Sequence, residues 1–185
     1  MIISRGSRIR AASQGERNAP DGQRAGRAAQ LQEELHQTKP FPSIHAEAFL
    51  NLIRTADQMQ HTLRMKLKPY GITETQYNSL RILRGAGKHG LTCAEIGERL
   101  ISQDPDITRL LGRLERQGLV RRERGVKDRR VVVTKITDTG LERLKELDPV
   151  VTNTVDSLLA YHSENELKKM IGYLERARRS AMSSN

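Results

Sequence analysis

The segment that most constrains this chain is "DPDITRLLGRLERQGLVRRERGVKDRRVVVTKITDTG", residues 104–140. Its first half repeats apolar residues at helical spacing: Ile107, Leu110, Leu111 and Leu114 make one stripe. Gly118 stops that helix, and Asp104 and Pro105 sit where a cap and a first helical residue belong. The second half reads as two short strands, 119–124 and 130–136, joined by a turn at 125–128. Thr137 then caps another helix. A helix running straight into a hairpin and out into a second helix admits few folds.

The same segment is dense in arginine. On the helix, the face opposite the apolar stripe carries Pro105, Thr108, Arg109, Gly112, Arg113 and Arg116. Residues 119–137 hold seven Lys or Arg against two acids, Glu123 and Asp128. A hairpin needs only turn chemistry and gains nothing from self-repulsion, so this concentration calls for a polyanion. A basic helix alone fits a solvated surface as well as it fits a groove. The basic hairpin beside it favours DNA: the helix suits the major groove and the hairpin the minor groove. Arg109 or Arg113 can give two donors to guanine, Thr108 can touch a thymine methyl or a phosphate, and Gly112 leaves room for DNA to approach.

Composition agrees. The formal net charge is +10 over 185 residues. Aromatics are 3% and Trp is absent, which leaves few platforms for stacking unpaired bases. Duplex DNA needs no such platform. Cys93 is the only cysteine, so an intrachain disulfide is excluded and a reducing cytoplasm fits. No apolar run is long enough to span a bilayer, so no membrane role is expected.

Other motifs carry less. "GAGKHG" at 85–90 matches a dinucleotide-binding pattern, but it follows a helix where a strand is required. It also resembles a phosphate loop, with Leu91 where the essential Lys should stand. A glycine-rich turn between helices is the better reading. The five histidines show no metal-ligand spacing on a helix, and no metal or cofactor is expected. Cys93 begins a helix, a setting that can lower a thiol pKa, but a buried small residue explains it as well.

Around the arginine-rich segment the chain reads as helices. Residues 1–42 are expected to be a disordered basic tail; the arginine-rich start has the look of a transit peptide but lacks a secretory signal's apolar stretch. Ser43 opens a long amphipathic helix ending at Pro69 and Gly71. Thr73 with Gln76, Thr92 with Glu95, and Ser163 with Glu166 are capping boxes that open three more helices. Pro149 is expected to kink or break the helix that starts at Thr137. The fold class is therefore mainly α with a small β-hairpin wing: a winged helix-turn-helix at 71–137 and a helical region at 43–70 and 138–181.

"LTCAEIGERL", "DPDITRLLGRLERQGLVRR", "KDRRVVVTKITDTG" and the flanking helices resemble the MarR family of bacterial winged-helix transcription regulators. The resemblance covers roughly residues 43–180, with a specific core at 72–141. It implies an obligate homodimer, a recognition helix at 104–118 and a wing at about 119–136. It also implies a D-x-R wing motif, Asp128-Arg129-Arg130, in which Asp128 orients Arg130 as it enters the minor groove, with Arg129 beside it among the DNA-binding residues. Small phenolic or anionic effectors that weaken DNA binding follow from the same resemblance. The reactive N-terminal cysteine of the peroxide-sensing branch has no counterpart here. The expected function is sequence-specific regulation of transcription on double-stranded DNA, as a ligand-released repressor. The alternatives are a low-specificity architectural DNA-binding protein and, from another class, a nucleotide-dependent enzyme using "GAGKHG".

Overall fold

The computed structural model describes residues 30–101, 106–124 and 131–183. The chain divides into two compact units, residues 1–51 and 52–185. Asp128, Arg129 and Arg130, with the expected turn, lie outside the described residues.

Seven α-helices and one hairpin are described in the order α1 Gln30–Glu34, α2 Ile44–Leu67, α3 Glu74–Ala86, α4 Cys93–Arg99, α5 Ile107–Arg116, β1 Val120–Arg124, β2 Val132–Ile136, α6 Asp138–Leu159 and α7 Glu164–Met182. The local chemistry explains where most of them start. The Oγ of Ser43 accepts from the backbone N–H of Ala46 at the head of α2. All three capping boxes form, at Thr73–Gln76, Thr92–Glu95 and Ser163–Glu166. The glycine-rich stretch is a turn: a short 3₁₀ segment, Gly87–His89, flanked by a left-handed φ of 61° at Gly87 and 68° at Gly90.

The core of residues 52–185 is one cluster. Leu67 and Ile72 join Tyr77, Leu80 and Leu83 from α3, Ile96 from α4, and Leu110, Leu111 and Leu114 from α5. Leu119 and Val120 enter from the hairpin, and Leu144, Leu147 and Val151 from α6. β1 and β2 pair antiparallel, with Val120 opposite Ile136 and Arg124 opposite Val132. Leu91 adds an isolated bridge on the other side of β2, exchanging two backbone hydrogen bonds with Thr134 at 3.0 and 2.7 Å. The wing is thereby fastened to the helical core at its base. Gly140, in the first turn of α6, lies against the carbonyl of Leu119, where a Cβ would collide with backbone. That close approach locks the hairpin's exit to its entrance.

Four expectations change. α5 is capped by Asp106 rather than Asp104: the Asp106 carboxylate accepts from the backbone N–H of Arg109 at 3.0 Å. "DPD" offers two capping acids, and the second takes the helix. α6 runs unbroken through Pro149. Leu144, Leu147 and Val151, buried on both sides of it, hold the helix together across the missing backbone donor. The expected tail contains a helical turn, α1, in which Leu31 is only 3% exposed. A single apolar residue one turn before Leu35 was too little pattern to mark it. The strands begin inside their expected limits, at Val120 and Val132, and end where expected, at Arg124 and Ile136. No helix among the described residues is long and apolar enough to cross a membrane.

Candidate nucleic-acid interface

α4 and α5 form the two helices of the helix-turn-helix. Gly97 on α4 sits so close to the tip of Ile107 on α5 that a Cβ there would lie 2.5 Å from its Cδ1. α5 is strongly two-faced. Leu110, Leu111 and Leu114 are buried, which turns Thr108, Arg109, Arg113 and Arg116 outward, and all four are exposed. Arg109 has a side chain 72% exposed and lies 3.9 Å from the capping carboxylate of Asp106. Arg116 bends back toward the Gly112 carbonyl, with Nε at 3.4 Å.

The wing is tied to this helix by Arg122. Its guanidinium donates to the Thr108 carbonyl at 2.9 Å, and its backbone N–H donates to Glu115 Oε1 at 3.2 Å. Its Nε faces Glu115 Oε2 at 3.4 Å without a well-directed hydrogen bond. The guanidinium passes directly over Gly112, 3.5 Å from where a Cβ would stand. Arg122 thus passes over Gly112 at ordinary van der Waals distance from the position of a Cβ. Sequence reasoning counted Arg122 among the wing's basic residues and missed its inward role. The available signal was the combination of Gly112 and Glu115 on the helix with Arg122 on the following strand.

The hairpin's charge is also partly matched from within. Glu123 pairs with Lys135 at 2.7 Å and with Arg121 at 3.0 Å. The Lys135 hydrogen bond, with the Arg121 and Lys135 charges, holds the Glu123 carboxyl below the usual glutamate range despite some desolvation. The polyanion argument thus rests on the exposed arginines of α5 and on Arg124, less on every cation of the hairpin. Among the described residues no cluster of His, Cys, Asp or Glu is arranged to hold a metal ion. Cys93 is a free, partly buried thiol packed against the core.

A second feature lies between α2 and α3. A cavity of about 680 Å³ opens between the C-terminal half of α2 and the start of α3, lined by His61, Arg64, Met65, Lys68, Ile72 and Glu74 among others. The α3–α6 contact beside it is made by Asp148, which accepts from Tyr77 Oη at 2.8 Å and from Arg84 at 2.6 Å.

A two-helix reading unit, a two-stranded wing and a buttressing α6 define a winged helix-turn-helix regulator. The chain belongs to the MarR family, whose model matches residues 72–132. It is 37% identical in sequence to the MarR transcription factor from Planctomyces limnophilus, covering 73% of this chain and 98% of that one, with a TM-score of 0.58. The S. aureus MepR–DNA complex is similar at a TM-score of 0.64 and 25% identity, covering 72% and 96% of the two chains. The transcriptional repressor YetL of Bacillus subtilis is 28% identical over 131 residues, 69% of this chain and 78% of YetL. The protein is a DNA-binding transcription regulator of that family.

Proposed function

We propose that the chain is a homodimeric repressor of the cytoplasm that binds a palindromic operator in duplex DNA and is released by a small aromatic or anionic effector. The carrying observation is the exposed arginine face of α5 held in fixed relation to the wing by Arg122. In this reading Thr108, Arg109, Arg113 and Arg116 meet the major groove. Arg130 enters the minor groove, oriented by Asp128, and Arg129 also contacts DNA. Similarity to a repressor and to a regulator solved on DNA supports it. The dimer is supported by α7, where no residue is buried although Leu167, Met170, Ile171 and Leu174 form a stripe. The effector is supported by the cavity between α2 and α3, where a ligand would favour one DNA-competent or DNA-incompetent shape over the other. The activity is binding rather than catalysis.

Selection of bound sites from random DNA tests the proposal. The expected result is a palindrome whose half-site centres lie about 10 bp apart, retained against excess random DNA. Sites with no shared sequence, or a stable DNA-competent monomer, would point instead to a low-specificity architectural protein.

A further inference from the structure

α5, the helix that meets DNA, starts from an acid. Asp106 stands at its N-cap, where Oδ1 accepts from the backbone N–H of Arg109 at 3.0 Å. The second oxygen, Oδ2, faces the Arg109 guanidinium, 3.9 Å from Nη1. One carboxylate thus meets the same arginine twice, at its backbone and at its charge. Among the described residues no other arginine of α5 has an acidic partner; Arg116 leans on the Gly112 carbonyl instead.

Capping does not require this charge. Ser, Thr and Asn cap a helix about as well as Asp. The chain itself uses neutral hydroxyl caps at Thr73, Thr92, Thr137 and Ser163. Among the described residues, the carboxylate cap stands only on the helix that faces a polyanion, where phosphate repels it. The helix dipole favours an acid at that place, but this acts on stability alone. The Arg109 contact adds a consequence for recognition.

Both side chains are open to solvent, Asp106 at 54% and Arg109 at 72%. In water such a pair adds little to stability. In a groove that excludes water the attraction strengthens. Arginine is long, and fixing it on a base edge costs rotamer entropy. A carboxylate beside Nη1 narrows those rotamers before DNA arrives. It occupies one edge of the guanidinium fork and leaves donors enough for guanine O6 and N7.

We propose that Asp106 is a positioning residue for base reading. It holds the Arg109 guanidinium for a two-donor contact with guanine, and its charge opposes the phosphate contacts that would draw the arginine away. This rests on the reading of Arg109 as a major-groove contact. Asp106 therefore lowers affinity for DNA in general and raises selectivity between sequences.

The test compares the full chain with Asp106→Asn, Arg109→Ala and the double variant. Asp106→Asn keeps a capping oxygen and removes the charge. Each protein is titrated with the site that the wild type selects from random DNA, with that site altered at each base pair, and with random duplex. Arg109→Ala identifies the base pair that Arg109 reads. Asp106→Asn should bind random duplex about 2–5-fold tighter, because a repelling charge is gone. Its preference for guanine at the Arg109 position should fall by about 5-fold. In the Arg109→Ala background the same change should alter no base preference. Thermal unfolding without DNA checks the cap; if Asp106→Asn does not fold, Asp106→Ser carries the comparison. An equal gain on every sequence would reduce Asp106 to a repelling charge and overturn the proposal. An equal loss, or no change, would reduce it to a cap and overturn it as well. If no shared site is selected, or Arg109→Ala weakens all sequences alike, the reading of Arg109 fails and the role of Asp106 with it. A base preference that depends on Arg109 but not on Asp106 defeats the positioning role alone.

Discussion

α5 and α7 are both amphipathic helices, and the chain treats them in opposite ways. In α5 the apolar side is finished: Leu111 and Leu114 are fully buried and Leu110 is 8% exposed. What remains outside is arginine. In α7 no residue is buried, and Ile171 and Tyr173 are 54% and 62% exposed. A helix whose core lies within its own chain can devote its outer face to a polar ligand. A helix whose apolar face has no cover among the described residues offers that face to a second copy in the dimer proposed above. One chain thus carries a helix whose apolar face is covered and another whose apolar face is open, which the proposed function reads as a reading surface and an assembly surface.

The strongest way to break the comparison is to spoil the unfinished face alone. Ile171→Asp should leave α5 and its arginines intact yet abolish dimerisation, because each interface would bury unpaired carboxylates at several kcal/mol apiece. A dimeric operator complex would lose half its contacts, so affinity should fall by roughly 100-fold or more. Sedimentation should show a folded monomer. A dimer that persists with full operator affinity would mean that α7 is not the assembly surface.

The converse experiment spoils the reading face alone. Arg109→Ala should leave the dimer and its stability unchanged, since the side chain is largely exposed. It should relax selectivity at one base position per half-site, by about 1–3 kcal/mol. If affinity instead drops equally on all sequences, Arg109 is a phosphate contact.

Arg122 sharpens the comparison, because it is basic without belonging to the free surface. Its partners are Thr108 and Glu115, so it should act by holding the wing at a fixed angle to α5. Arg122→Ala should weaken operator binding by about 5–10-fold. The salt dependence should keep its slope, because no phosphate contact is removed. Glu115→Gln should give a smaller loss in the same direction. A slope reduced by about one would show that Arg122 touches DNA directly.

How much of this was legible in the sequence depends on how local the cause is. The three capping boxes join residues three apart, and all three form where Thr73, Thr92 and Ser163 place them. The outward arginines of α5 follow from a single helical stripe. What was illegible is non-local. The Leu91–Thr134 bridge joins positions 43 residues apart, and nothing in "GAGKHGL" announces a strand partner. Arg122 folding over Gly112 depends on where the hairpin returns to the helix. At Pro149 local propensity argues for a break, which does not occur because buried neighbours on either side keep the helix continuous. The cavity between α2 and α3 needs both helices to be placed before it exists.

The smallest expected effect concerns the joint between the reading unit and α6. Tyr77 from α3 donates to Asp148 on α6, which also accepts from Arg84. Burial, followed by the hydrogen bond to Asp148, pushes the Tyr77 hydroxyl up to about 12. Burial also raises the Asp148 carboxyl, but the hydrogen bonds from Arg84 and Tyr77 with the arginine charges outweigh it and hold it below the usual aspartate range. The two signs give two windows. Asp148, depressed on folding, adds stability that is present above the unfolded value of about 3.9 and is lost as pH falls below it. Tyr77, raised on folding, adds stability that is present below about 10 and is lost between about 10 and 12 as the unfolded chain ionises first. Tyr77→Phe should therefore cost about 1 kcal/mol at pH 7, modest because Asp148 remains a third exposed. The cost should shrink above about pH 10, where the unfolded wild-type tyrosine gains its charge. Denaturant unfolding of both proteins at pH 7 and at about pH 10.5 measures it, and a difference that does not change with pH would show that the hydroxyl's proton is not held by the joint.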